Sequence, residues 1–242
     1  MKTNRGFFQG FLRRTAVWLL VLPAGTRAAD IVGKVTLTGK PPAEVVIDAS
    51  ADPACAQMHP TAFTTRHYVV GPGGGLADVF VYIKRGLEGK TFPKPNTVPV
   101  LDQEGCFYKP YVMGLMVGQD LKILNSDSTL HNVHAVPQTN SPFNLAQPSQ
   151  GAFSLRHFDK PEVFIKFKCD VHPWMFAYVG VVDHPYFAVT GPDGAFAMPN
   201  VPPGTYTLEA IHPKLGPLDK EITVSAAGNT TVDYSYETKS GN

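Results

Sequence analysis

The sequence has no surplus of either charge: 21 Lys and Arg stand against 20 Asp and Glu in 242 residues. A net charge of +1 gives no electrostatic footprint for nucleic acid. Long apolar runs are missing too. The run at residues 16–22 is far below the ~20 residues that span a bilayer. No stretch sustains a helical period. There is no Cys-x-x-Cys-His, so covalent haem attachment of the usual kind is excluded. The glycine-rich stretch 71–75 has no following Lys-Ser/Thr and reads as a turn, not a phosphate loop. Cysteine is scarce, at 3 residues, and that odd number calls for an explanation.

Glycine and proline are plentiful instead, 22 of each, scattered in turn-like clusters without a collagen-like period. That spread predicts many short strands and tight turns. A hydrophobic content of 43% suffices for a packed core and excludes global disorder.

Arg5, Arg13 and Arg14 precede the short apolar run, and Ala28 and Ala29 precede Asp30. A basic start, a short apolar stretch and small residues at the end predict a cleaved export signal over residues 1–29. The Arg13–Arg14 pair leaves Sec and twin-arginine routes both open. Cleavage removes five basic residues and no acidic one, leaving net charge −4. The expected product is a mildly acidic periplasmic protein with no membrane span after processing.

In an oxidising compartment the economical use of three cysteines is a Cys55–Cys106 disulfide, with Cys169 kept as a thiolate. The rival use makes Cys55 and His59 a metal pair. Strands are expected at 31–38, 77–84, 111–116, 121–125, 131–136, 163–169, 176–182, 195–198, 205–210, 220–224 and 230–236. Residues 48–65 are expected to be irregular and 138–150 to be a loop. The fold class is therefore all-β, in two sandwich-like units.

Period two places His131, Val133 and Ala135 on one face and Asn132 and His134 on the other. Val163, Ile165, Phe167 and Cys169 likewise share a face opposite Lys166 and Lys168. If the lysines are wet, the sulfur of Cys169 points inward. His172 follows three residues later, and Met175 three after that. A thiolate, two imidazoles and a thioether match a mononuclear copper site with a weak axial Met. Zinc is the rival metal, but its usual ligand set has no place for Met. His134 replaces His131 only if the strand faces are reversed. His59, His67, His157, His184 and His212 are expected at the surface or in turns.

The segment Asn-Ser-Asp-Ser-Thr-Leu-His-Asn-Val at 125–133, followed by Cys-Asp-Val-His-Pro-Trp-Met at 169–175, resembles the cupredoxin family. The short Cys-to-Met loop is most similar to that of amicyanin. The resemblance implies a Greek-key β-sandwich over 99–185, with His131, Cys169 and His172 as equatorial copper ligands and Met175 as the axial one. It implies Asn132 as the residue tying the two ligand segments together. It also implies His172 near the surface, with Pro173, Trp174 and Phe176 as an apolar docking patch. The partner implied is a transient redox protein such as a periplasmic dehydrogenase or a c-type cytochrome.

Residues 186–238, with Thr-Gly-Pro-Asp-Gly at 190–194 and Val-Pro-Pro-Gly-Thr-Tyr at 201–206, resemble the carboxypeptidase-regulatory-like β-sandwich module. In that family the module opens with a strand like 31–38 and continues with one like 77–84. The intervening 30–98 segment is thus expected to share its first strand with the C-terminal module, the copper domain being inserted within it. Nothing supplies a peptidase's zinc ligands or base, and no enzyme activity is expected. The function expected is single-electron transfer. A copper carrier or sensor, or a carbohydrate-binding or adhesive module with a structural copper site, are the alternatives.

Overall fold

A computed structural model describes residues 1–2, 28–226 and 228–238. The expected leader falls outside these residues except at its ends. The described chain is all-β: nineteen strands, one six-residue α-helix and one 3₁₀ turn. No helix among the described residues is long and apolar enough to cross a membrane.

Two sandwiches share the chain. In the first, a five-stranded sheet runs Phe143–Gln147, His131–Val136, Glu162–Lys168, Phe176–Val182, Val112–Met116. It faces a four-stranded sheet, Phe153–Arg156, Leu121–Asn125, Val100–Gln103, Tyr108–Lys109. Alternating residues from both faces fill the space between: Leu101, Tyr108, Leu121, Ile123, Val133, Ile165, Phe167 and Val179 are all buried. The inward set begins at Ile165 rather than at Val163, because a bulge with Phe164 at φ 65° shifts the register there.

The second sandwich is discontinuous in sequence. Ala29–Thr38 pairs antiparallel with Ala195–Val201 and parallel with Thr230–Thr231 and Tyr234–Glu237. Opposite lies a sheet ordered Phe187–Val189, Phe80–Arg85, Gly204–His212, Gly216–Val224. Ile31, Val35, Val81, Leu208 and Tyr234 pack between them.

The two units join through Phe80 and Phe187, which rest on the five-stranded sheet of the first sandwich. Two glycines in register, Gly114 and Gly180, make room for them. A Cβ on Gly180 would stand 2.5 Å from the Phe80 ring, and one on Gly114 2.4 Å from Phe187. Any side chain at either position would lift the second unit off the sheet.

Three local expectations are corrected. The stretch 48–65 contains the helix Pro53–Met58, capped by the Asp52 side chain with proline in its first turn. Its single turn and a half is too short for a helical period to register. The loop expected at 138–150 contains the strand Phe143–Gln147, and a further strand, Phe153–Arg156, flanks the other sheet. Each of these is an edge strand with a wet face, so its apolar signal is weak. Finally, His184 and His212 are buried rather than at the surface. The Nε2–H of His184 donates to the Ile83 carbonyl at 2.8 Å, and His212 Nδ1 accepts from the Lys214 N–H at 3.3 Å.

Candidate metal centre

His131 opens the strand 131–136, whose burial alternates as period two requires. Its ring is fully buried, while His134 on the opposite face is half-buried and bonded to Asp170 at 2.8 Å. Cys169 directly follows the strand Glu162–Lys168 and is a buried free thiol. The loop after it turns back tightly: the Met175 N–H donates to the His172 carbonyl (3.0 Å) and the Cys169 N–H to the Met175 carbonyl (3.2 Å). That turn brings His172 under the end of the sandwich.

The three donor residues converge. Their ligand atoms all lie within 4.8 Å of one another. His131 Nδ1 is 2.9 Å from His172 Nδ1, and Cys169 Sγ is 3.7 Å from the latter. Met175 is fully buried in the same core, at the far end of the loop. Asn132, facing out, joins the two ligand segments. Its amide oxygen accepts from the Asp170 N–H, and its amide N–H donates to the Asp170 carboxylate at 3.2 Å. Tyr108 ties the same strands from within, its hydroxyl donating to the carbonyls of Asn132 and Lys168.

Two acidic residues absent from the sequence reading complete the cluster. Asp127 Oδ2 accepts from His131 Nε2 at 2.8 Å, and Asp52 Oδ2 accepts from His172 Nε2 at 2.9 Å. Asp127 is itself fixed by the N–H groups of Gly105 and Cys106. Asp52 is fixed by those of Ala54 and Cys55 and by the Thr129 hydroxyl. A signal for each was present: Asp127 stands four residues before His131, and Asp52 precedes a proline as helix caps do.

These contacts set the charge. Burial opposes charging of Cys169, but hydrogen bonds from His131 and His172 bring its thiol down to about 6. Burial likewise opposes a charge on His131, yet Asp127 and the sulfur raise it to about 9. His172 is raised against its burial by Cys169 and Asp52. Despite desolvation, Asp52 is held down at about 2 by the Cys55 N–H and His172.

The donor set fits a soft metal ion. Both Nε2 atoms donate to carboxylates, so the two Nδ1 atoms face each other in a dry site, 2.9 Å apart. With His131 raised to about 9, its Nδ1–H donates to His172 Nδ1, and a metal ion taking the place of that proton would be held by both Nδ1 lone pairs. The 2.9 Å separation is that of an N–H···N hydrogen bond and would widen to about 3.3 Å around one tetrahedral ion with nitrogens ~2 Å away; a thiolate lies beside them.

The disulfide joins Cys55 to Cys106, which leaves no Cys55–His59 metal pair. His59 instead donates to the Gly105 carbonyl at 2.8 Å. His172, expected near the surface, is 2% exposed and lies directly beneath Asp52 and Cys55. Pro173 is exposed, but Trp174 and Phe176 are half-buried. Trp174 donates to the Cys106 carbonyl at 3.0 Å and meets Phe63 edge-on, while Lys166 lies over Phe176.

No protein-family model and no curated protein matches this chain. Solved structures do. The copper-containing nitrite reductase NirK of Thermus scotoductus SA-01 is 21% identical over 40% of this chain and 24% of its own, with a TM-score of 0.34. The purple cupredoxin of Nitrosopumilus maritimus is 23% identical over 34% of this chain and 98% of its own, with a TM-score of 0.30. An amicyanin variant in its Cu(I) form is 21% identical over 42% of this chain and 97% of its own, with a TM-score of 0.32. All three matches cover less than half of this chain. The sheets and the core described above define the class: an all-β protein of two β-sandwich units. Among the described residues, the first sandwich holds a buried Cys-His-His cluster suited to a metal.

Proposed function

We propose that the protein binds one copper ion through His131, Cys169 and His172, with the Met175 thioether as a weak fourth ligand, and transfers single electrons in the periplasm. The observation that carries this reading is the convergence of one low-pKa thiol and two Nδ1 atoms in a buried pocket. Copper bound there would supply one-electron exchange between Cu(I) and Cu(II). The chain's own groups do the rest. Asp127 and Asp52 set the tautomer and orientation of the two imidazoles. The apolar core around Cys169 excludes water, and the bonded loop 169–175 holds the sulfur and the His172 ring in one geometry for both charge states.

The role proposed is that of an electron carrier and not of an enzyme. With His172 covered, the route outward that best fits the contacts runs through Trp174, whose ring lies 5.1 Å from that of His172. A transient redox protein such as a periplasmic dehydrogenase or a c-type cytochrome is the partner this role requires. The test is to load the protein with Cu(II) and record visible absorption and EPR beside Cys169→Ser. An intense thiolate-to-copper band lost in the variant supports the proposal, and a colourless loaded protein overturns it.

A further inference from the structure

The segment that covers His172 is small and weakly self-supporting. It comprises the strand Val46–Ile47, the helix Pro53–Met58 and the strand Phe63–Thr64, and the helix buries only Cys55. A helix of six residues has little stability of its own. Side chains hold this lid to the metal unit: Asp52 to His172 and Thr129, His59 to the Gly105 carbonyl, Phe63 to Trp174. One covalent link is added, the disulfide from Cys55 to Cys106.

That link sits against the cluster. Cys55 Sγ is 3.6 Å from His172 Nε2. The Cys106 N–H donates to Asp127 Oδ2, the oxygen that also accepts from His131 Nε2. Both disulfide cysteines are completely buried, so no external thiolate reaches either sulfur while the lid is closed. The bond is therefore poorly placed as a reversible switch and well placed as a lock made once.

We propose that the Cys55–Cys106 disulfide locks a lid over the metal centre and so fixes the order of maturation. Metal enters while the two cysteines are thiols and the lid opens freely, and disulfide formation then seals it in. In the sealing step the two thiols give up two protons and two electrons and form one S–S bond. A disulfide oxidant, such as oxidised glutathione or a disulfide-bearing oxidoreductase, takes both and is reduced to two thiols. The metal part of this inference rests on the copper reading above; the lid itself does not.

The test separates the two. In metal-free protein, Cys169 is the one free thiol of the disulfide form and the one cysteine of Cys55→Ser/Cys106→Ser. Its alkylation by iodoacetamide should be on the order of 100-fold faster in the double variant, because opening the lid exposes it. Equal rates overturn the lid. Should the variant fail to fold, reduced wild-type protein is refolded and given Cu(I) either before or after oxidation by oxidised glutathione. Fast uptake before and slow uptake after supports the lock, and equal uptake in both orders overturns it. Protein that takes up no metal in either order overturns the maturation order and the copper reading together, while hydrogen exchange of the backbone amides of residues 46–64, compared in reduced and oxidised wild-type protein, still decides the lid: faster exchange on reduction supports it and equal exchange overturns it.

Discussion

His131 and His172 meet Nδ1 to Nδ1 at 2.9 Å, and each ring is anchored at its other nitrogen by a carboxylate. One anchor lies inside the sequence motif and the other far outside it: Asp127 is four residues from its histidine, whereas Asp52 is 120 residues from its own. Removing either carboxylate frees a ring to turn and to change tautomer. Asp127→Asn and Asp52→Asn are each expected to weaken copper binding by about 10- to 100-fold. Competition against a chelator of known affinity measures this, and unchanged affinity in both variants would show that the carboxylates only hold the fold.

Trp174 reports on the centre. It is the only tryptophan beyond residue 29, and its ring lies 5.1 Å from that of His172. Cu(II) should therefore quench the fluorescence of the chain from residue 30 onward, saturating at one equivalent. Emission that is indifferent to Cu(II) would place the ion elsewhere.

The join between the units depends on absent side chains. Gly180→Ala puts a methyl into the space of the Phe80 ring and should destabilise the protein by about 1–3 kcal/mol. Phe80→Leu in the same chain should recover part of that loss. Urea unfolding of the single and double variants measures both, and additive losses would refute the steric account.

His212 gives the second unit an acid limit. Burial, reinforced by His67 and Lys214, lowers its pKa from 6.5 to about 4. The unfolded chain thus takes up this proton first as the pH falls. Stability is full above about 6.5, falls between 6.5 and 4, and levels off below, by up to about 3 kcal/mol. His184 is lowered too, chiefly by burial, and adds to the same trend. Unfolding midpoints across this range should fall steeply in the parent and less so in His212→Asn. Parallel curves would assign the loss to other groups.

Much of the centre was legible in residue order. Period two along 131–136 put His131 inward with Val133 and Ala135, and the buried, half-buried alternation of that strand agrees. The Cys-x-x-His-x-x-Met spacing places three side chains on one tight turn, a matter of a few bonds. The pairing of Ala29–Thr38 with strands near the C-terminus belongs to another kind of information, since nothing local selects a partner some 200 residues away.

What the sequence determined by itself was short-range: strand alternation, turns at Gly and Pro, and the run of donors at 169–175. Each follows from backbone geometry within a few residues. What only the tertiary structure decided was which groups close over those donors. The Asp52 carboxylate and the Cys55 sulfur reach His172 because a six-residue helix is carried over the end of the sandwich. That placement depends on sheet order and on the partner of Cys106, which no local periodicity encodes. The scarcity of cysteine was visible at once, but only the folded chain shows that all three sulfurs gather around one pair of imidazoles.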